Sequence, residues 1–219
     1  MNANPPLMRW WLRHPPRHQS GATLMIALML LSLLLLLGAA TTSLLLLDER
    51  AARNHRDHLQ ARLAAQAALE DACDDIARVR RIDPTTFASP LTCRSDADGL
   101  GLCLGQPGRS GWQPAQLVGA RATAATYGQF TGRRFPDKQG NASPRYLIER
   151  LPGITSSRSR EANTTTPTYR LNAVGYGRNG AVSALQAVVR LPEATAPVAP
   201  TASGCRWLAW RPLYLPSHE

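Results

Sequence analysis

Gly21 to Leu47 reads GATLMIALMLLSLLLLLGAATTSLLLL, and the reading of this stretch decides the fold. From Ala22 to Leu47 there are 26 residues without a charge. At 1.5 Å rise per residue they form a helix of roughly 39 Å, longer than the ~30 Å hydrocarbon core of a bilayer. A helix in the core of a soluble domain keeps a polar face, and this one has none before Asp48. The stretch is therefore read as a membrane span.

On its N-terminal side, Met1–Gly21 carries Arg9, Arg13 and Arg17 as its only formal charges, and Pro5, Pro6, Pro15 and Pro16 oppose a helix. Basic residues ahead of a first span favour a cytoplasmic N-terminus, which sends everything after Leu47 to the periplasm. A secretory signal has a shorter apolar region, about 7–15 residues, closed by an Ala-x-Ala-like site. Here the run is too long, and Gly38–Ala40 is a weak cleavage candidate. A plain signal anchor is the simplest reading. One detail points elsewhere: a Gly stands at the boundary between the basic leader and the apolar run, RHQSG before ATLMIALML. This junction resembles the leader of type IV prepilins, which a membrane peptidase cuts after the Gly. The resemblance implies Gly21 as the last leader residue and Ala22 as the first mature one, often methylated.

On the C-terminal side, DERAARNHRDHLQARLAAQAALEDACDDIARVRRIDP has no Gly and no Pro before Pro84. Ala, Leu, Arg, Gln and Glu, all good helix formers, dominate it. Leu59, Leu63, Ala67, Leu69, Cys73 and Ile76 recur at spacings of three and four, which predicts one apolar stripe packed on a domain. Pro84 supplies the stop. A single helix from Ala22 to Ile82 is roughly 90 Å long, with 22–47 as its membrane half and 48–82 as its soluble half.

About 170 of the 219 residues follow the span, enough for the helix and one modest domain. The formal net charge is +10, from 24 Arg and one Lys against 15 acids, and the excess is dispersed. That dispersal makes nucleic acid an unlikely partner and leaves a lipid headgroup layer or an acidic protein equally compatible. The four cysteines, Cys73, Cys93, Cys103 and Cys205, all follow the span, and their even number suits disulfides in an oxidising space.

Residues 85–143 are rich in Gly, Pro, Ser and Thr and give few strand signals. Cys93 and Cys103 lie ten residues apart around an Asp-Gly turn. In an exported domain a local disulfide there adds roughly 2–3 kcal/mol. Cys73, on the apolar stripe, is either a buried thiol or the partner of Cys205. Asp96-Ala97-Asp98-Gly99 shares the opening of a calcium loop but lacks the further ligands, so a solvated turn is expected. Arg145–Leu151, Tyr169–Tyr176 and Ala181–Leu191 read as strands, the last two joined through Arg178-Asn179-Gly180, a strong hairpin signal. Three antiparallel strands on the long helix give an α+β head over 83–191. Pro192–Pro200 reads as a linker within a last segment, 192–219, whose tail CRWLAWRPLYLP adds a strand, covers the domain or presents a partner site.

The span and helix together resemble the N-terminal region of PilX-like minor type IV pilins. The matching features are the apolar start, Glu49-Arg50, Asn54-His55-Arg56-Asp57 and Gln66-Ala67-Ala68-Leu69-Glu70. Pro144-Arg145-Tyr146-Leu147-Ile148-Glu149 and Tyr169-Arg170-Leu171 with Gly175-Tyr176-Gly177 resemble the family's C-terminal strands. The likeness covers about 17–82 and 144–190 and omits the middle and the last 28 residues. It implies a pilin-like fold: a long N-terminal helix, membrane-spanning in its first half, packed on a small antiparallel β-sheet head. It implies partners too: the major pilin, other minor pilins, a tip adhesin of the PilY type, the prepilin peptidase and the inner membrane. The major pilins carry Glu at mature position five, where it neutralises a neighbour's N-terminal amine; here that position is Ile26. A subunit without this Glu suits the pilus tip, unless the family simply tolerates the loss.

No enzymatic signature competes with this reading. There is no phosphate loop, nucleophile elbow or nucleotide fingerprint. His55 and His58 sit one helical turn apart beside Asp57, but nothing nearby completes a metal site, and a solvated face is expected there. No cofactor or metal is expected. Three functional classes remain. One is a minor pilin that primes pilus assembly at or near the tip. Another is a type II secretion pseudopilin, whose tip member has a larger head than the 135 residues after Pro84 allow. The third is a single-pass anchored periplasmic protein with no filament role.

Overall fold

The computed structural model describes residues 21–79, 81–82, 86–87, 92–106, 108–119, 123–136, 142–152, 167–191 and 204–215. The leader up to Ser20, the Pro84 stop and the Pro192–Pro200 linker lie outside the described residues. Two units divide the chain, one ending at Ala51 and the other starting at Ala52. Helix α1, Ala22–Asp74, contributes to both.

In the first unit the apolar run is helical, and its large side chains, from Leu24 to Leu47, are exposed all round. Three of its hydroxyls bond within the helix. Ser32 Oγ donates to Met29 O, Thr41 Oγ1 to Gly38 O and Thr42 Oγ1 to Ala39 O, each at 2.9 Å. A helix that turns hydroxyls onto its own backbone in this way suits a bilayer.

In the second unit α1 packs on a six-stranded sheet. Its strands are β1 (Leu102–Leu104), β2 (Ala125–Thr126), β3 (Arg145–Leu151), β4 (Thr168–Tyr176), β5 (Val182–Arg190) and β6 (Arg206–Leu213). The order is β1-β3-β4-β5-β6, with β2 also on β3. The expected three-strand meander stands at the centre, with the β4–β5 turn at Arg178-Asn179-Gly180, where Gly180 takes φ +92°. The sheet is mixed and not purely antiparallel, because β1 runs parallel to β3 (Leu102 against Ile148). β1 and β2 come from the stretch whose short pieces gave no alternation to read. Tail strand β6 extends the far edge, antiparallel to β5, with a bulge between Val188 and Val189.

Alternation along the strands divides the core in two. Tyr146, Ile148, Leu171, Ala173, Leu185, Ala187 and Val189 pack with Ala65, Ala68, Leu69, Ala72, Cys73 and Ile76 of α1. Leu147 and Val174 pack on the other face under Trp112, Leu117 and Ala124. Leu117 belongs to a short helix, α2 (Pro114–Val118), which starts on a proline.

The expected stripe on α1 is corrected in part. Leu69, Cys73 and Ile76 are buried, but Leu59 and Leu63 are 44% and 63% exposed, and the buried face runs instead through Ala61, Ala64, Ala65, Ala68 and Ala72. The reason is the approach distance. A Cβ on Gly175 of β4 would lie 2.2 Å from Ala61 O. Only alanines facing a glycine allow backbones so close, and a leucine on that face would hold the sheet away. Helical structure ends in a π turn, Asp75–Val79, short of the expected Ile82. Arg81 folds back there. Its Nε donates to Asp75 Oδ1 at 2.8 Å and its Nη1 to Asp98 O at 3.0 Å.

Candidate assembly site

The residues expected to matter for processing and assembly lie at the start of α1. Gly21 is a turn residue whose carbonyl accepts from Met25 N at 3.3 Å, and Ala22 is the first helical residue. Ile26 lies one turn on and is 58% exposed. An apolar side chain at that position leaves the exposed apolar surface unbroken from Leu24 to Leu31 and free of charge to Leu47. The arrangement can pack against lipid or other apolar helices; it offers no group that could hold a cation or an amine.

In the second unit, a row of carboxylates on α1 fastens the loops of the head. Asp57 was expected on a solvated face and is 3% exposed. Its Oδ1 accepts from Asn179 N at 2.9 Å and its Oδ2 from Ala181 N at 3.0 Å, so it holds the β4–β5 turn. These backbone N–H groups, Asn179 first, hold its carboxyl below the ordinary carboxylate range despite burial. Asp71 accepts from Gly128 N at 2.7 Å and from the Thr131 hydroxyl, closing the 127–132 turn. Burial outweighs these bonds and pushes its carboxyl up. Asp75 accepts from Arg81 and from the Tyr146 hydroxyl at 2.9 Å, and burial raises the Tyr146 phenol far above its usual value. His55 and His58 are exposed. Asp96 binds Arg94 and Gly99 N within its own turn. The signal for the carboxylate row was its helical spacing: Asp57, Asp71 and Asp75 share the face that carries the alanines.

The cysteines form two disulfides, Cys93–Cys103 and Cys73–Cys205. The first closes the loop that precedes β1. The second ties the start of β6 to α1, across 132 residues of chain. Trp210 of β6 lies under the Arg62 guanidinium of α1, 5.1 Å from the ring centre, and remains 41% exposed. The aromatic tail thus adds a strand while keeping Trp207, Leu208, Trp210 and Tyr214 partly in contact with solvent.

These features match known families. Residues 20–70 match the PilX N-terminal family model, and residues 79–191 match the C-terminal region of the type IV pilus assembly protein PilX. No curated protein and no solved structure matches the chain. The long apolar helix fits a membrane anchor, and the family is a structural component of pili that associates with other pilus components. With more than half of its length covered by the C-terminal model alone, and the alanine-faced helix covered by the N-terminal one, the chain belongs to the PilX family of type IV pilus assembly proteins.

Proposed function

We propose that this protein is a minor type IV pilin that primes pilus assembly and occupies the tip of the fibre or a place close to it. It is held before assembly as a single-pass inner-membrane protein with a periplasmic head. The prepilin peptidase removes residues 1–21, and Ala22 becomes the methylated N-terminus. The apolar helix then moves from lipid into contact with the helices of the major pilin and other minor pilins, while the head meets a PilY-type adhesin. The role is structural and involves no catalysis. The observation that carries this reading is the charge-free apolar surface of α1 from Ala22 to Leu47, including Ile26 where a major pilin has Glu. In an apolar fibre an unpaired N-terminal amine is costly, so a subunit that offers no carboxylate belongs where no subunit ahead presents an amine. The test is N-terminal mass spectrometry of the chain recovered from sheared fibres. The expected mature form starts at Ala22. A cellular form that retains Arg9, Arg13 and Arg17, and that is absent from sheared fibres, would refute the proposal.

A further inference from the structure

The face of the sheet turned away from α1 carries a cluster of arginines at its β5–β6 end. Strand register puts Arg170, Val188 and Ala209 in one row across β4, β5 and β6. Gln186 and Arg211 stand in the row on one side, and Arg190 opposite Arg206 in the row on the other. The short side chains of Val188 and Ala209 leave a pocket of about 280 Å³, with Arg170, Gln186 and Arg211 at its rim. Arg170 donates to Glu149 Oε2 at 3.1 Å, and Arg211 Nε donates to Gln186 Oε1 at 2.8 Å. Among the described residues, Arg190, Arg206 and Arg211 have no carboxylate partner, and all three are exposed. Two like charges directly opposite each other on neighbouring strands destabilise a sheet unless an anion lies between them.

We propose that this face is a docking surface for an acidic segment of a second, different protein, whose carboxylates meet Arg170, Arg190, Arg206 and Arg211 above the Val188–Ala209 floor. Strand spacing gives the cluster an extent of roughly 10 by 15 Å, the length of an extended segment of about five residues. Another copy of this chain does not fit. It carries a net charge of +10, and of its 15 acids at least Asp57, Asp71, Asp74, Asp75 and Glu149 are buried. Single-stranded nucleic acid fits less well than a peptide, because binding it calls for aromatic stacking on the same face. Trp207 and Trp210 pair with Val189 and Ala187 on the face that packs on α1, and although Trp210 also borders the pocket, its ring lies under the Arg62 guanidinium of α1. That the occupant is a protein rests on the pilus-assembly reading; the preference for carboxylates does not.

The test uses the full-length chain in detergent and a fluorescein-labelled deca-glutamate peptide. Arg190→Gln/Arg206→Gln/Arg211→Gln is expected to weaken peptide binding about tenfold and to flatten its salt dependence. Arg56→Gln/Arg109→Gln/Arg134→Gln, with the same net charge, is expected to bind like the parent. Thermal melts of both triple variants check the fold, and Arg211→Gln alone, expected to give a smaller loss, serves if the first triple variant does not fold. Equal weakening by the two triple variants, or tighter binding of an oligonucleotide of the same charge than of the peptide, would overturn the proposal. Normal piliation in a strain lacking the protein would instead count against the pilus reading and leave the peptide result standing.

Discussion

Asp57 and Gly177 meet where α1 crosses the β4–β5 turn. A Cβ on Gly177 would lie 2.5 Å from Asp57 Oδ1, so the glycine leaves room for the carboxylate that holds the turn. The pH dependence of the head follows from the two best-defined aspartates. Asp57 has its folded-state value lowered, so its contribution to stability is present above the unfolded value of 3.8 and is lost as pH falls through the folded one. For Asp71 the value is raised, so its contribution is present below 3.8 and is lost as pH rises through the folded value. Thermal melts on acidification from neutral pH should therefore separate the two variants. Asp57→Asn should melt lower than the parent at neutral pH and lose less on acidification, whereas Asp71→Asn should lose more. Parallel curves for the two variants would contradict the assignment. Gly175→Ala has a simpler expectation. Its Cβ would meet Ala61 O and Ala65 N at 2.2 and 2.3 Å, backbone atoms that can only move with the helix, so a loss of about 3 kcal/mol in denaturant unfolding is expected.

At the scale of elements, β6 depends on a covalent tie. It is an edge strand with nearly every residue exposed, joined to β5 through a segment outside the described residues. Apolar burial along it is slight, so the Cys73–Cys205 disulfide supplies much of what keeps it in place. Cys73→Ser/Cys205→Ser should lower stability by about 3 kcal/mol. It should also make Arg206 sensitive to brief trypsin treatment while β3 to β5 stay protected, as peptide mapping would reveal. The same elements explain what could be read from the chain. β3, β4 and β5 were legible because each is at least seven residues long, and the Asn179-Gly180 turn fixes the pairing of β4 with β5. β1 and β2, three and two residues long, carry no periodic signal, and the parallel pairing of β1 depends on a disulfide-closed loop that pattern alone cannot orient. The packed face of α1 departs from the hydrophobic pattern at Leu59 and Leu63 because hydrophobicity ranks leucine over alanine, while close packing against Gly175 selects for small size. The burial of Asp57 is not legible locally, because an acid on a helix is ordinarily solvated and its partners are 122 and 124 residues away.

At the scale of the whole molecule, the proposed cleavage after Gly21 gives a helix with no carboxylate near its new N-terminus, and the proposed assembly puts that helix inside a fibre. On the proposed processing and assembly, the N-terminal amine of each subunit enters an apolar interior, where a charge without a partner costs several kcal/mol. A Glu at the fifth mature residue of a neighbour removes that cost, and Ile26 cannot. Incorporation of this protein into a growing shaft would leave one amine uncompensated at each insertion, whereas at the tip no amine ahead needs an acid. Replacing the residue reverses the preference. Ile26→Glu should allow the protein to enter the shaft, so its share of sheared fibres relative to the major pilin should rise and fewer fibres should start with it at the tip. Immunogold labelling along the fibres and pilus counts per cell measure the two effects. If labelling stays at fibre ends and pilus number does not change, charge compensation at position five does not decide where this subunit resides, and the tip assignment loses its physical basis.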